Sequence, residues 1–276
     1  KSGPPLCMEI INIFTTSRCG KIVYKINPMM KPFLNAILSV LILISFQVKG
    51  QEGITEYIPS AKPERIVLNI NGDPATTIAV TWRTDTTVSE SVARISRNIP
   101  GVLVADSAIA ITGRSEDITA DGVAARFHSV IFTGLVPATV YAYCVGSGAD
   151  ASEWFTFKTA EAGAAPFSFL WFGDSQVGPI ASYARVIRQA YRSAPEAAFM
   201  IFTGDLVDGG YNKKTLDDEW GDWYRAAGFI TSEVPVVATP GNHEFYSPHD
   251  RQKRDFNIYW RPGFTLPENG PAGLEE

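Results

Sequence analysis

The chain has 276 residues, 45% hydrophobic and 19% charged, with a formal net charge of -5. That apolar content can build a core in one or two domains and argues against intrinsic disorder. Gly 23, Pro 18 and Cys 3 exclude collagenous and disulfide-rich architectures, and a pI near 5.3 argues against nucleic-acid binding by a basic surface.

Residues 1–28 show neither helical nor strand periodicity and read as extra upstream sequence outside the fold. Residues 33–46, FLNAILSVLILISF, carry no charge; Met29, Met30 and Lys31 precede them, and small residues follow at Val48 and Gly50. This pattern predicts a secretory signal peptide over 29–50, cut after Gly50, and hence an exported protein, periplasmic or extracellular. The stretch is shorter than the roughly 20 residues that span a bilayer, so no stable membrane anchor is expected. Residues 1–50 hold six of the 24 Lys/Arg and one of the 29 Asp/Glu, so the remainder carries about -10. Cys7 and Cys19 fall in the excluded part, which leaves Cys144 without an intramolecular partner, as a small packing residue in an apolar strand.

From residue 63 to 159 the pattern has period 2. Residues 77–84 alternate, with Ile78, Val80 and Trp82 on one face. Further strands are predicted at 91–96, 102–105, 107–112, 127–132, 140–146 and 154–159, punctuated by Gly, Pro, Asn and Asp. Short strands at this spacing imply a β-sandwich. His128, within a strand, reads as structural. Residues 160–166 are small and unpatterned, a linker. The texture then becomes strand (167–172), helix (180–193), strand (198–203), helix (215–228), strand (234–238). The first helix has Tyr183, Val186, Ile187, Ala190 and Tyr191 on a face, the second Leu216, Trp220 and Trp223/Tyr224. That alternation implies parallel strands with helical crossovers.

Each of these three strands runs into a polar cluster: Gly173-Asp174-Ser175-Gln176, then Gly204-Asp205-Leu206-Val207-Asp208-Gly209, then Gly241-Asn242-His243-Glu244. In an open parallel sheet the carboxyl ends of strands gather along one edge, where ligands bind. Carboxylate, amide oxygen and imidazole suit divalent ions such as Mn, Zn, Fe or Mg. A carboxylate can bridge two such ions, which polarise a phosphoryl group and activate water.

The three motifs in this order resemble the calcineurin-like metallophosphoesterase superfamily, and the preceding domain is similar to the fibronectin type III-like N-terminal domain of purple acid phosphatases. The string Leu135-Val136-Pro137-Ala138-Thr139-Val140-Tyr141 resembles the tyrosine-corner segment of fibronectin type III domains, in which a Tyr hydroxyl bonds back to the main chain. The resemblance implies a fibronectin type III-like β-sandwich at 63–159, then an incomplete α/β metallophosphoesterase domain at 166–276, a four-layer α/β/β/α sandwich when complete. It implies two divalent or trivalent metal ions (Fe, Zn, Mn or Mg), with Asp174 on the first, Asp205 bridging and Asn242 on the second. Gln176 stands where the family usually has His. His243 would assist the leaving oxygen, and Asp208 matches the carboxylate that orients this His in the protein-phosphatase branch. Purple acid phosphatases have Tyr at the Asp208 position, so no iron–tyrosinate site is expected.

The family completes its site with later histidines, including Gly-His-x-His, and the histidines here are only 128, 243 and 249. The expectation is a C-terminally truncated chain, inactive alone, from a metal-dependent phosphatase acting on phosphate esters. The alternatives are a non-catalytic extracytoplasmic binding or adhesion protein with a degenerate site, or a phosphodiesterase. No nucleic-acid partner is expected, and the oligomeric state is left open.

Overall fold

The computed structural model describes residues 55–98, 103–210, 215–246 and 255–270, all within one compact unit, Glu52–Glu276. The expected upstream segment and signal peptide lie outside the described residues.

Strands β1 (Glu64–Asn69), β2 (Ile78–Thr84), β3 (Val92–Arg97), β4 (Ile109–Thr112), β5 (Arg114–Ala120), β6 (Val123–Phe132), β7 (Val140–Val145) and β8 (Phe155–Lys158) form the sandwich. One sheet runs β4-β3-β7-β8 and the other begins β5-β6-β2-β1. The alternation puts Ile78, Val80 and Trp82 into a core with Ile95, Phe132, Tyr143 and Phe157. The tyrosine corner is present: the Val136 N–H donates to the Tyr141 hydroxyl at 2.9 Å.

Three elements of the sandwich differ from the pattern: β1, whose residues 66–68 are a continuous apolar run buried on both faces, was not among the expected strands, and two others follow. Residues 103–107 are a one-turn helix, α1 (Leu103–Ser107), where a strand was expected. The segment connects β3 to β4, which pair directly with each other from Val92↔Thr112 to Ile95↔Ile109, so no strand is inserted between them. The connection therefore stays outside, buries no residue, and is tied down by Arg94 donating to the Ala105 carbonyl at 2.6 Å. Strand β5 was not anticipated, because Arg114-Ser115-Glu116-Asp117 carries no apolar alternation. It is recruited by its turn: Asp121 and Gly122 both have positive φ, 52° and 76°, the conformation of a two-residue Asp-Gly hairpin.

The α/β part supplies β9 (Leu170–Phe172), a π-helical turn (Pro179–Tyr183) running into α2 (Ala184–Ser193), β10 (Met200–Thr203), α3 (Leu216–Ala227), α4 (Ile230–Glu233) and β11 (Val236–Thr239). Strands β9, β10 and β11 are parallel, as the strand–helix alternation predicts. The Thr215 side chain caps α3 by accepting from Asp218 N–H at 3.0 Å, and Asp217, Asp218 and Glu219 in the first turn complement the helix dipole. The short hairpin β12 (Phe245–Tyr246) and β13 (Asp255–Phe256) follows, then α5 (Trp260–Gly263).

The sandwich and the α/β part share one seven-stranded sheet, β5-β6-β2-β1-β11-β10-β9. The junction is Asn69, which pairs in parallel with Val236. Its buried amide donates to the Val236 carbonyl at 3.1 Å and accepts from Thr265 N–H at 3.0 Å. Because strand residues alternate faces, the sandwich sheet serves two cores. Leu68, Val130 and Phe132 face the sandwich interior, whereas Val67, Ala125 and Phe127 pack with Phe202, Trp220 and Tyr259.

His128 is structural. It is 1% exposed, stacks on Trp82 with ring centroids 5.1 Å apart, and has its two ring nitrogens 2.8 and 2.9 Å from Thr84 and Ser91 hydroxyls. Burial, with the neighbouring Arg126 guanidinium, lowers its pKa from 6.5 to about 4. The unfolded chain therefore binds a proton that the folded one refuses, so stability is full above pH about 6.5 and falls on acidification toward pH 4. We expect a loss of up to about 3 kcal/mol over that window. Urea unfolding at pH 7 and pH 4.5 should show the loss in wild type and a flatter dependence in His128→Gln. An equally steep dependence in the variant assigns the proton to another group.

Candidate functional site

The carboxyl ends of β9, β10 and β11 lie side by side, and the three polar clusters leave them as adjacent loops. Main-chain bonds join the loops: Asp174 N–H donates to the Gly204 carbonyl at 3.3 Å, and Gln176 N–H to the Asp205 carbonyl at 3.1 Å. The third loop joins through a side chain, with His243 N–H donating to Asp205 Oδ1 at 3.0 Å. Asp174 and Asp205 both take left-handed backbone, φ 54°, unusual for a residue with a Cβ and typical of turns that aim a side chain at a ligand. The glycines are required by space: a Cβ on Gly204 would lie 2.5 Å from Gly241 Cα, and one on Gly241 would collide with the Asp205 carboxylate. The structure thus brings Asp174, Gln176, Asp205, Asn242 and His243 to one edge, on loops that touch.

Two acidic residues that the sequence reading left without a role hold this arrangement. Glu244 is fully buried, and its carboxylate accepts four main-chain N–H groups: Gly241 at 2.7 Å, Asp205 at 2.8 Å, Leu206 at 2.7 Å and Val207 at 3.3 Å. Burial still pushes its carboxyl above the ordinary range, against those N–H groups. A partial signal was present: Glu244 stands three residues after Gly241, the spacing of a capping box, and supplies the half of it that accepts the Gly241 N–H, while glycine has no side chain to return the bond. Glu219 of α3 accepts from Gly210 N–H, 3.2 Å from each carboxylate oxygen. Burial, reinforced by the Asp208 charge, raises its pKa to about 7.

His243 and Asp208 do meet. The shorter contact is from His243 Nδ1 to the Asp208 main-chain carbonyl, 2.8 Å, with the carboxylate at 3.9 Å. A carbonyl can only accept, so the ring carries its proton on Nδ1, and Nε2 becomes the acid–base atom.

Among the described residues, no three Asp, Glu, His or Cys side chains are gathered to hold a metal ion by themselves. The amides therefore matter. Gln176 Oε1 is buried with no hydrogen-bond partner, a costly state for an acceptor unless a cation or water completes it. With the carboxylates of Asp174 and Asp205 and the amide of Asn242, this makes an all-oxygen donor set. Its chemistry suits a hard divalent ion, and four donors are too few for two.

Residues 63–159 match the purple acid phosphatase N-terminal domain, and residues 167–271 match the calcineurin-like phosphoesterase family. Acid phosphatase type 7 of Danio rerio is 30% identical over 161 residues, 56% of this chain and 34% of that protein, so the chain spans about a third of this curated relative. Among solved structures, one described as PhoD aligns with 70% of this chain and 41% of that one, at 12% identity and a TM-score of 0.45. The FN1-FN3 domains of chicken CNTN1 align with 37% of this chain and 33% of that one, at 15% identity and a TM-score of 0.27. The chain therefore carries a segment similar to the calcineurin-like phosphoesterases, preceded by one similar to the purple acid phosphatase N-terminal domain.

Proposed function

We propose that the protein hydrolyses phosphate monoesters outside the cytoplasm, with two metal ions held at the ends of β9, β10 and β11. The observation that carries the reading is the joining of three strand-end loops that bear Asp174, Gln176, Asp205, Asn242 and His243. Export is supported by the uncharged stretch at 33–46. Asp174, Gln176, Asp205 and Asn242 would supply part of the donor set for these ions, the rest coming from residues outside those described. The ions, when bound, supply Lewis acidity and activation of water.

The chain's own residues do the rest. Asp205 keeps one oxygen on the His243 N–H and has its second oxygen for a ligand. His243, held by the Asp208 carbonyl, would act as the imidazolium: it gives its Nε2 proton to the departing oxygen and is left as the neutral ring with its proton on Nδ1. Since the remainder of the chain is acidic, the ions and not surface cations attract the substrate.

The test uses the product of the whole reading frame with p-nitrophenyl phosphate, and with bis(p-nitrophenyl) phosphate for diesters. His243→Ala should lower kcat roughly a hundredfold or more while bound metal stays near the wild-type level. Asp205→Asn should lose metal and turnover together. A wild-type protein that binds metal but hydrolyses neither ester would favour the binding-protein reading. Faster diester turnover would make it a phosphodiesterase. A parallel loss of metal in His243→Ala would make His243 a ligand.

A further inference from the structure

The first turn of α3 is gripped from two sides. On the sandwich side, Arg83 of β2 donates to the Asp217 carboxylate at 2.6 Å, and Arg65 of β1 reaches it at 2.9 Å; all three side chains are at least 97% buried. Asp121, at the tip of the β5–β6 hairpin, accepts from Asp217 N–H at 2.9 Å and so caps the helix from the sandwich. On the other side, Glu219 sits two residues after Asp217 and holds the Gly210 N–H. That loop presents the Asp208 carbonyl to His243, and it lies so close that a Cβ on Gly209 would be 2.5 Å from the His243 carbonyl oxygen.

We propose that the β-sandwich positions the candidate site: Asp121, Arg65 and Arg83 fix the first turn of α3, and through it Glu219 fixes the 208–210 loop against His243. The sandwich is then a working part of the site and not a spacer. The chain of contacts is short and mostly buried. The links are guanidinium–carboxylate ion pairs at Asp217 and side-chain to main-chain hydrogen bonds at Asp121, Glu219 and His243, so a shift of α3 along its axis would reach the His243 ring through one turn of helix and one loop. Asp121, Arg65, Arg83 and Glu219 are positioning residues in this account. The proposal rests on the reading of His243 as the proton donor.

The test is hydrogen exchange at the Gly209 and Gly210 amides, with the nitrogen resonances of the His243 ring, on the full chain without metal or ester. Asp121→Gly deletes the cap but keeps the left-handed turn. It should speed exchange at Gly209 and Gly210 about fivefold and move the His243 ring from the Nδ1–H toward the Nε2–H form. Asp121→Asn, whose side-chain oxygen still accepts, should restore both. Glu219→Gln should reproduce the effect from the near end. The proposal is overturned if Asp121→Gly leaves exchange and ring signals unchanged, or if Val80 in the sandwich core accelerates as much as Gly210, the mark of general loosening. An unresponsive Gly210 in Glu219→Gln overturns it too. Neither readout involves hydrolysis, so an inert wild-type enzyme would sink the functional reading alone.

Discussion

Glu244→Ala is expected to destabilise the protein by about 4 kcal/mol and to abolish metal binding with it. The four main-chain N–H groups that the carboxylate accepts belong to the loops after β10 and β11. Each buried donor left unpaired costs about 1–3 kcal/mol, and water entering the gap recovers part of the sum. Glu244→Gln separates charge from shape. Oε1 accepts from Leu206 and Val207, and Oε2 from Asp205 and Gly241, so an amide in either orientation turns its NH2 toward two donors. The Gln variant should therefore fall roughly midway, near 2 kcal/mol. Urea unfolding gives the energies, and titration with Mn reads the site. If Glu244→Ala lost less than about 1 kcal/mol, the loops would have to be held by their other contacts, and Glu244 would be incidental to the site.

What the sequence discloses here follows the range of the interactions. Strand β2 and the apolar face of α3 are local patterns of period 2 and 3.6 and are where the pattern puts them, whereas on the first helix Tyr183 and Ile187 are buried but Val186 is exposed. The tyrosine corner spans five residues and was equally readable. Residues 103–107 misled because Leu103, Val104 and Ala105 suit a strand, whereas β3 and β4 pair directly with each other and leave them outside. The candidate side chains could be named because each follows a strand end, a rule of topology that needs no long-range contact. Contacts that use main-chain atoms could not be named: the carbonyl of Asp208 on His243 and the amides around Glu244 belong to the backbone, which every sequence shares. The joining of the two sheets at Asn69 and Val236 spans 167 residues and has no local signature.

Asp217→Ala is the second large effect expected, about 3–5 kcal/mol of stability, because it leaves the Arg65 guanidinium in the interior without a carboxylate and Arg83 with only Glu64, whose Oε1 accepts from Arg83 Nε at 2.7 Å. Arg83 and Asp217 have fully buried side chains, and that of Arg65 is 3% exposed. The Thr55 hydroxyl also donates to Asp217, at 2.9 Å, and to Asp218, at 2.7 Å. Burial, with Arg83 alongside, already pulls the Arg65 guanidinium below its ordinary pKa, so the loss of Asp217 falls mainly on Arg65. Removing all three charges should be milder than removing one. In Arg65→Met/Arg83→Met/Asp217→Leu the interior gains apolar volume in place of ions whose desolvation largely cancels their attraction, and much of the loss should be recovered. Guanidinium chloride would screen these pairs, so urea is the denaturant to use. A single Asp217→Ala that costs less than about 1 kcal/mol would mean that water reaches the arginines. A triple variant no more stable than the single one would mean that the hydrogen bonds from Thr55 and to the Asp217 main-chain carbonyl, and not the charge, hold the sandwich against α3.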